Sequence, residues 1–361
     1  MIPDTYTSTL ALTIVSMLCW GSWANTTKLA KGCRFELFYF DYTIAVFLAA
    51  TVAALTFGMV DITAPGYQGQ ELAFIDNLQT TGKSNIAYAL MGGAVFNLAN
   101  MLLVAAIAVA GMAVAFPIAI GLALIGGVVL NYVIHPAGNA ALLFSGVFLV
   151  LLAIIVSASA HSAYKRVGTQ QPHTPQPRTQ LRPELYKPRV SPFKGIALSL
   201  VSGILMAAFY PLVELSKGGD IELALSPYTA AFCFGVGVLL TTPIYSLVFM
   251  KVPVEGEEVH FRDYLKLRKS AHFWGLLGGL IWTVGTISNF VASSAPASVN
   301  VGPAISYALG QGATLISALW GLLVWREFKG AKPGVVWRLV IMLVLYFVGL
   351  ALISIAPLHG R

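Results

Sequence analysis

Two tryptophans share a helix face early in this chain. Ser16, Trp20, Trp23 and Thr27, in and just before "LCWGSWANTTK", follow steps of four, three and four, the spacing of one side of a helix. Two indoles on one face stack on a flat or ring-shaped solute; an interfacial aromatic belt or helix packing would use the same pattern. A second set is neutral and polar. Gly93, Asn97 and Asn100 in "GGAVFNLANML" share a face, and 186 residues later stand Gly279, Thr283 and Thr286. Trp282 and Asn289 lie on a neighbouring face, and Asn300, Pro303, Tyr307 and Gln311 fall on or near one face of the next segment. With Tyr210, these amides and hydroxyls form a candidate site for an uncharged solute, or else hydrogen bonds between helices.

Ionisable groups are scarce among them. Asp41 and Glu327 are the candidates for a proton relay. The structural alternatives are that Asp41 caps a helix N-terminus and that Glu327, in "WREFKG", pairs with Arg326 or Lys329. Glu214 falls near the opposite end of its segment. Catalytic patterns are absent: there is no G-x-x-x-x-G-K-[ST], G-x-S-x-G, H-E-x-x-H or C-x-x-C. Six histidines and three cysteines form no ligand or disulfide pattern. No enzyme activity, cofactor or metal is expected.

The elements that must position these residues are membrane spans. The chain is 57% hydrophobic and only 10% charged, where a soluble domain carries roughly 25% charged residues. Ten apolar stretches, near 6–28, 38–60, 86–109, 112–134, 139–160, 193–215, 226–250, 271–293, 298–325 and 333–357, are each long enough to cross about 30 Å of hydrocarbon. The two halves align without a gap at an offset of 186: Leu29-Ala30-Lys31-Gly32 matches Leu215-Ser216-Lys217-Gly218, Tyr42-Thr43 matches Tyr228-Thr229, Gly92-Gly93 matches Gly278-Gly279, Pro117 matches Pro303 and Gly126 matches Gly312. Five spans per half is an odd number, so the halves run in opposite directions through the membrane. The expected fold is an all-α membrane protein of ten transmembrane helices in two inverted five-helix repeats, residues 1–160 and 192–361, joined by a basic, proline-rich linker over 161–191.

Charge sets the orientation. Loops after odd-numbered spans hold 19 of the 22 Lys and Arg residues, which places the linker in the cytoplasm and both termini outside. The net charge of +7 is thus a topology signal rather than a nucleic-acid footprint. The first span lacks a basic leader and is read as retained. The loops joining spans 3 to 4 (Ala110-Gly111) and 8 to 9 (Ala295-Pro296-Ala297) are expected to be very short. Pro117 and Pro303, about one turn into their helices, are the candidate gating elements; the plain alternative is that they start those helices.

The segments "GSWANTTKLAKG", "FYFDYTIAVFLAATVAALTFG", "GGAVFNLANMLLVAAIAVAGMAVAFPIAIGLALIGGVVLNY" and "LWGLLVWREFKG" resemble the ureide permease branch of the drug/metabolite transporter (DMT) superfamily, to which the glucose/ribose porters and the rhamnose–proton symporter are similar in layout. The resemblance covers nearly the whole chain and is strongest at Gly21, Trp23, Asp41-Tyr42-Thr43, Gly92-Gly93, Asn100, Asn131-Tyr132 and Gly321 to Glu327. It implies two inverted five-helix halves around a central cavity, and import of allantoin-like ureides or nucleobases with protons. The linker departs from some plant members in lacking a nucleotide-binding-like motif. The expected function is a secondary transporter importing a small neutral solute, ureide or nucleobase-like, by alternating access. A monosaccharide–proton symporter, an exporter of metabolites or drugs, and a non-transporting receptor or scaffold are the alternatives. Its partners are the solute, the bilayer and protons, in a monomer or homodimer, and its place the inner membrane of a bacterium.

Overall fold

Thr5 opens the first helix with a capping box: its hydroxyl accepts from the Ser8 amide while Ser8 bonds back to Thr5. The computed structural model describes residues 2–60, 72–110, 112–168, 192–219, 223–254, 257–296 and 298–359, and these residues are helical with short connections. The helices are α1 (Tyr6–Ser22), α2 (Asn25–Leu29), α3 (Phe35–Thr56), α4 (Phe74–Thr80), α5 (Lys83–Ala110), α6 (Met112–Ile134) and α7 (Ala140–Gly168). The second half follows with α8 (Pro192–Lys217), α9 (Pro227–Lys251), α10 (Phe261–Leu265), α11 (Lys269–Ser293), α12 (Pro303–Gln311), α13 (Ala313–Leu319) and α14 (Pro333–Ile355).

Seven of these helices, α3, α5, α7, α8, α9, α11 and α14, and the continuous run Pro303–Val324 are, among the described residues, long and apolar enough to cross a membrane. The 186-residue offset carries α1 onto α8, α3 onto α9, α5 onto α11, α6 onto α12 and α13, and α7 onto α14. Even the short α4 falls on α10. Packing obeys the same relation. α5 lies on α8 as α11 lies on α1, and α5 on α9 as α11 on α3; α6 lies on α8 as α12 and α13 lie on α1. The pairs α3–α9, α6–α12 and α7–α14 join a helix to its own counterpart.

The halves differ where helices break. The first span is interrupted after Ser22 and resumes as α2, whereas α8 runs through its equivalent positions with Pro211 inside. The ninth span is not one helix. It divides at Gly312 into α12 and α13, then widens into a π turn, Trp320–Val324. Beyond that turn Arg326 sits at φ 50, a left-handed conformation that costs a non-glycine residue energy.

Several boundaries differ from the sequence expectation. α7 continues to Gly168, past the expected linker start at residue 161; residues 169–191 of that linker lie outside the described residues, as do Gly111, Ala297 and both terminal residues. The connection between α11 and α12 spans residues 294–302, longer than three residues. Pro303 is the first residue of α12, after Gly302 at φ 78, rather than one turn in. Pro117 lies inside α6, and its side chain lies outside the described residues. The three cysteines are free.

Candidate solute-binding cavity

A cavity of about 420 Å³ opens between the two halves. It runs from the middle of the bundle toward the end where α7 finishes and α8 begins, called here the linker end. One wall is aromatic. Trp282 of α11 stacks on Phe96 of α5 at 4.3 Å between ring centres and on Trp20 of α1 at 6.3 Å, and Phe209 of α8 packs against Phe96 at 5.2 Å. All four rings line the cavity. Trp20 is fixed twice: its indole N–H donates to Thr286 at 3.1 Å, and its ring lies where any side chain at Gly285 or Gly310 would collide. Trp23, at the break between α1 and α2, lines the cavity and backs onto Tyr42 at 4.9 Å.

Polar edges face that wall. Asn100 lines the cavity at 3% exposure, and its Nδ2 has no partner. An unpaired amide donor in so buried a position is costly unless something else completes it. Gln311 joins from the end of α12, Thr314 and Ser317 from α13, Tyr346 from α14 and Ser157 from α7. The helix breaks are tied to each other: Trp320 donates to Ser22 at 2.9 Å, and Trp325 to Asn25 at 2.6 Å.

The mouth of the cavity is charged. Lys28 of α2 donates to Glu327 at 2.5 Å and lies over the Trp325 ring, while His161 Nε2 is 3.7 Å from the other Glu327 oxygen. His161 and Lys28 together hold the Glu327 carboxyl down at about 2 despite its partial burial. Glu327 therefore does not pair with Arg326 or Lys329; the π turn and the left-handed Arg326 aim it into the cavity instead. Among the described residues no group of His, Cys, Asp and Glu could hold a metal ion.

The opposite end is sealed. Tyr210 of α8 donates to Asn289 of α11 at 2.5 Å. Asn289 donates to the Ser16 hydroxyl and the Ser306 carbonyl, each at 3.1 Å. Lys217 and Glu214, side chains 7% and 5% exposed, pair at 2.8 Å. Lys217 also donates to Ser293 at 2.6 Å, and Ser293 to Glu214 at 2.9 Å. This network stitches α8 to α11 (and to α1 and α12) above the aromatic wall.

The expected binding set thus divides. Trp20, Trp23, Asn100, Trp282 and Gln311 line the cavity, as does Glu327. Tyr210 and Asn289 belong to the seal. Asn97 turns away, donating to Val238, Thr241 and Thr242 of α9. Thr283 bonds back to Gly279 of its own helix, Asn300 braces the loop before α12 through Ser293 and Ala295, and Tyr307 donates to the carbonyls of Ala123 and Met206. Asp41 is no helix cap: α3 begins at Phe35, and Asp41 accepts from Tyr264 at 2.7 Å and contacts His272 Nδ1 at 2.8 Å, away from the cavity. Ser157, His161, Thr314, Ser317 and Tyr346 were missed. The sequence carries a faint signal for them: Ser157 and His161 are one turn apart, and Gln311, Thr314 and Ser317 advance by threes.

A family model for ureide permease matches residues 38–179 and 188–356. Ureide permease 2 of Arabidopsis thaliana is 24% identical, over 98% of this chain and 98% of its own length. Ureide permease 1 of the same plant is 24% identical over 98% and 97%, and the probable ureide permease A3 of Vigna unguiculata 24% over 89% and 95%. A solved structure, described only as the crystal structure of a protein, aligns with a TM-score of 0.55 at 15% identity, covering 97% of this chain and 98% of the other; that likeness concerns the fold alone.

Proposed function

Because the chain belongs to the ureide permease family, we propose that it imports ureides such as allantoin across a membrane by alternating access. The observation that carries this reading is the cavity, aromatic on one wall, amide-lined at its edges and closed at one end only. Its volume sits within the roughly 300–1,000 Å³ common for small-molecule sites. A ureide is flat and alternates N–H donors with C=O acceptors. Trp20, Trp23 and Trp282 offer faces for the plane, the unpartnered Asn100 Nδ2 offers a donor for a carbonyl, and the Gln311 amide offers both kinds of partner. Sugars and hydrophobic drugs have fewer reasons to select this combination.

The positive-inside pattern supports a cytoplasmic linker end, so this conformation faces the cytoplasm with its outer end sealed. Import requires the reverse state, in which Tyr210, Asn289, Glu214 and Lys217 separate while the linker end closes. Pro117 and Pro303, set at equivalent positions, are proposed as the places where α6 and α12 flex.

A ligand that binds only the native state raises its apparent stability. Allantoin and hydantoin should therefore raise the melting temperature of the purified protein, with glucose inert. Trp23→Ala should weaken ureide binding by roughly 1–3 kcal/mol, the scale of a base stacked on an aromatic ring. A parent protein stabilised by sugars and untouched by ureides would overturn the assignment.

A further inference from the structure

We propose that Glu327 is a charge filter: by neutralising Lys28 at the cavity mouth it makes the carrier select neutral ureides and reject their acidic, ring-opened counterparts, the ureido acids. The inference rests on the ureide reading above and deepens it. Among the described residues, Lys28 and Glu327 are the only Lys, Arg, Asp or Glu residues lining the cavity. Their side chains are 41% and 34% exposed and meet at 2.5 Å. With the carboxyl held near 2, Glu327 stays ionised at any working pH, so the Lys28 charge is always answered.

The carboxylate at this position is held deliberately. It arrives through a π turn and a left-handed Arg326, two departures from regular helix that concentrate at functional sites. It also fills the space a side chain at Gly321 would need, 2.9 Å from the Cβ position. The same Lys28 ammonium, with the Trp325 ring beneath it and Asn25 and Thr27 beside it along the cavity wall, would otherwise be an anion site. A ureido acid brings a carboxylate of the very kind that Glu327 supplies from within the chain. To bind, it must displace Glu327 into a partly buried setting or share Lys28 with a like charge, and both cost free energy. A neutral ureide meets neither obstacle.

The test compares hydantoin with N-carbamoylglycine, the same skeleton closed and ring-opened, by titration calorimetry on purified protein. The parent should bind hydantoin and discriminate against N-carbamoylglycine. Glu327→Gln should shift the affinity ratio toward the acid by about tenfold or more, with the shift shrinking as salt is added. The Lys28→Gln/Glu327→Gln double variant should lose that shift, because the gain depends on the bared ammonium. Should Glu327→Gln fail to fold, Lys28→Gln carries the test in mirror image: the unpaired Glu327 should shift preference toward a cationic probe, 5-(aminomethyl)hydantoin. Hydantoin binding by the parent with no change of ratio in any variant overturns the filter alone. A parent that binds no hydantoin removes the ureide reading and the filter with it.

Discussion

Tyr210, Glu214 and Lys217 on α8 face Asn289, Phe290 and Ser293 on α11 and close one end of the cavity. Subtracting the 186-residue offset gives Ala24, Lys28 and Lys31 facing Leu103, Val104 and Ile107. Five of these six line the open cavity. The repeat has kept the helices and exchanged the chemistry. At the sealed end, hydroxyls, an amide and a buried ion pair saturate one another; at the open end, alkyl groups face a small residue and two cations, and nothing can zip. Glu214 and Lys28 occupy equivalent positions with opposite charge, and each has found a partner its counterpart lacks. Symmetry of backbone thus supplies two doors, while divergence of side chains decides which one rests shut.

The sharpest way to break this contrast is to unpair the buried charge. Glu214→Gln leaves Lys217 without its counter-ion at 7% exposure, and should cost about 3–5 kcal/mol in unfolding of the detergent-solubilised protein; adding Lys217→Met should recover much of it. Equal stability of Glu214→Gln and the parent would show that the seal does not depend on that pair. Next, Asn289→Ala strands the Tyr210 hydroxyl and the Ser306 carbonyl, a loss of about 2–3 kcal/mol, and should make a cysteine at Ser16 reactive to thiol reagents from the sealed side. At the open end, Lys28→Gln should change stability by about 1 kcal/mol or less, because its pair is partly exposed. The sign of its pH dependence is fixed. Glu327 titrates below its ordinary 4.5, at about 2, so the pair's contribution is full above 4.5 and is lost as pH falls through 2. Melting curves of parent and variant should converge over that interval and stay parallel above it.

Much of the scaffold was legible beforehand because hydrophobic length and a gapless repeat are strong signals. Matched glycines and prolines in one register indicate which spans correspond, but the short helices α4 and α10, in the loops after spans 2 and 7, carry no such signal. The site was only half legible. A polar residue on a buried helix face announces that it needs a partner, not which partner, so Asn97, Asn289 and Tyr307 read like binding residues and proved to be bonded to neighbouring helices. Lys28 and Glu327 lie 299 residues apart, and no local pattern joins them. The π turn that aims Glu327 holds no proline, and the single glycine of "WGLLV", Gly321, does not by itself mark such a turn.

Gly93 and Gly279, equivalent in the repeat, each leave so little room that a Cβ would stand 2.1 Å from a carbonyl of the neighbouring helix, Phe234 of α9 or Tyr42 of α3. Gly237 returns the contact from α9 to Leu90 of α5 at 2.2 Å. Helices that touch at bare backbone meet along a short, smooth line instead of meshed teeth. They swivel about that line without first disengaging, where interlocked ridges would have to climb over one another. Two such swivels, each joining a helix of one half to a helix of the other, give the molecule an axle. In the proposed alternating-access cycle, turning on it would leave these crossings almost unchanged, and the resistance to motion would collect at the polar seal, where water must replace those few bonds.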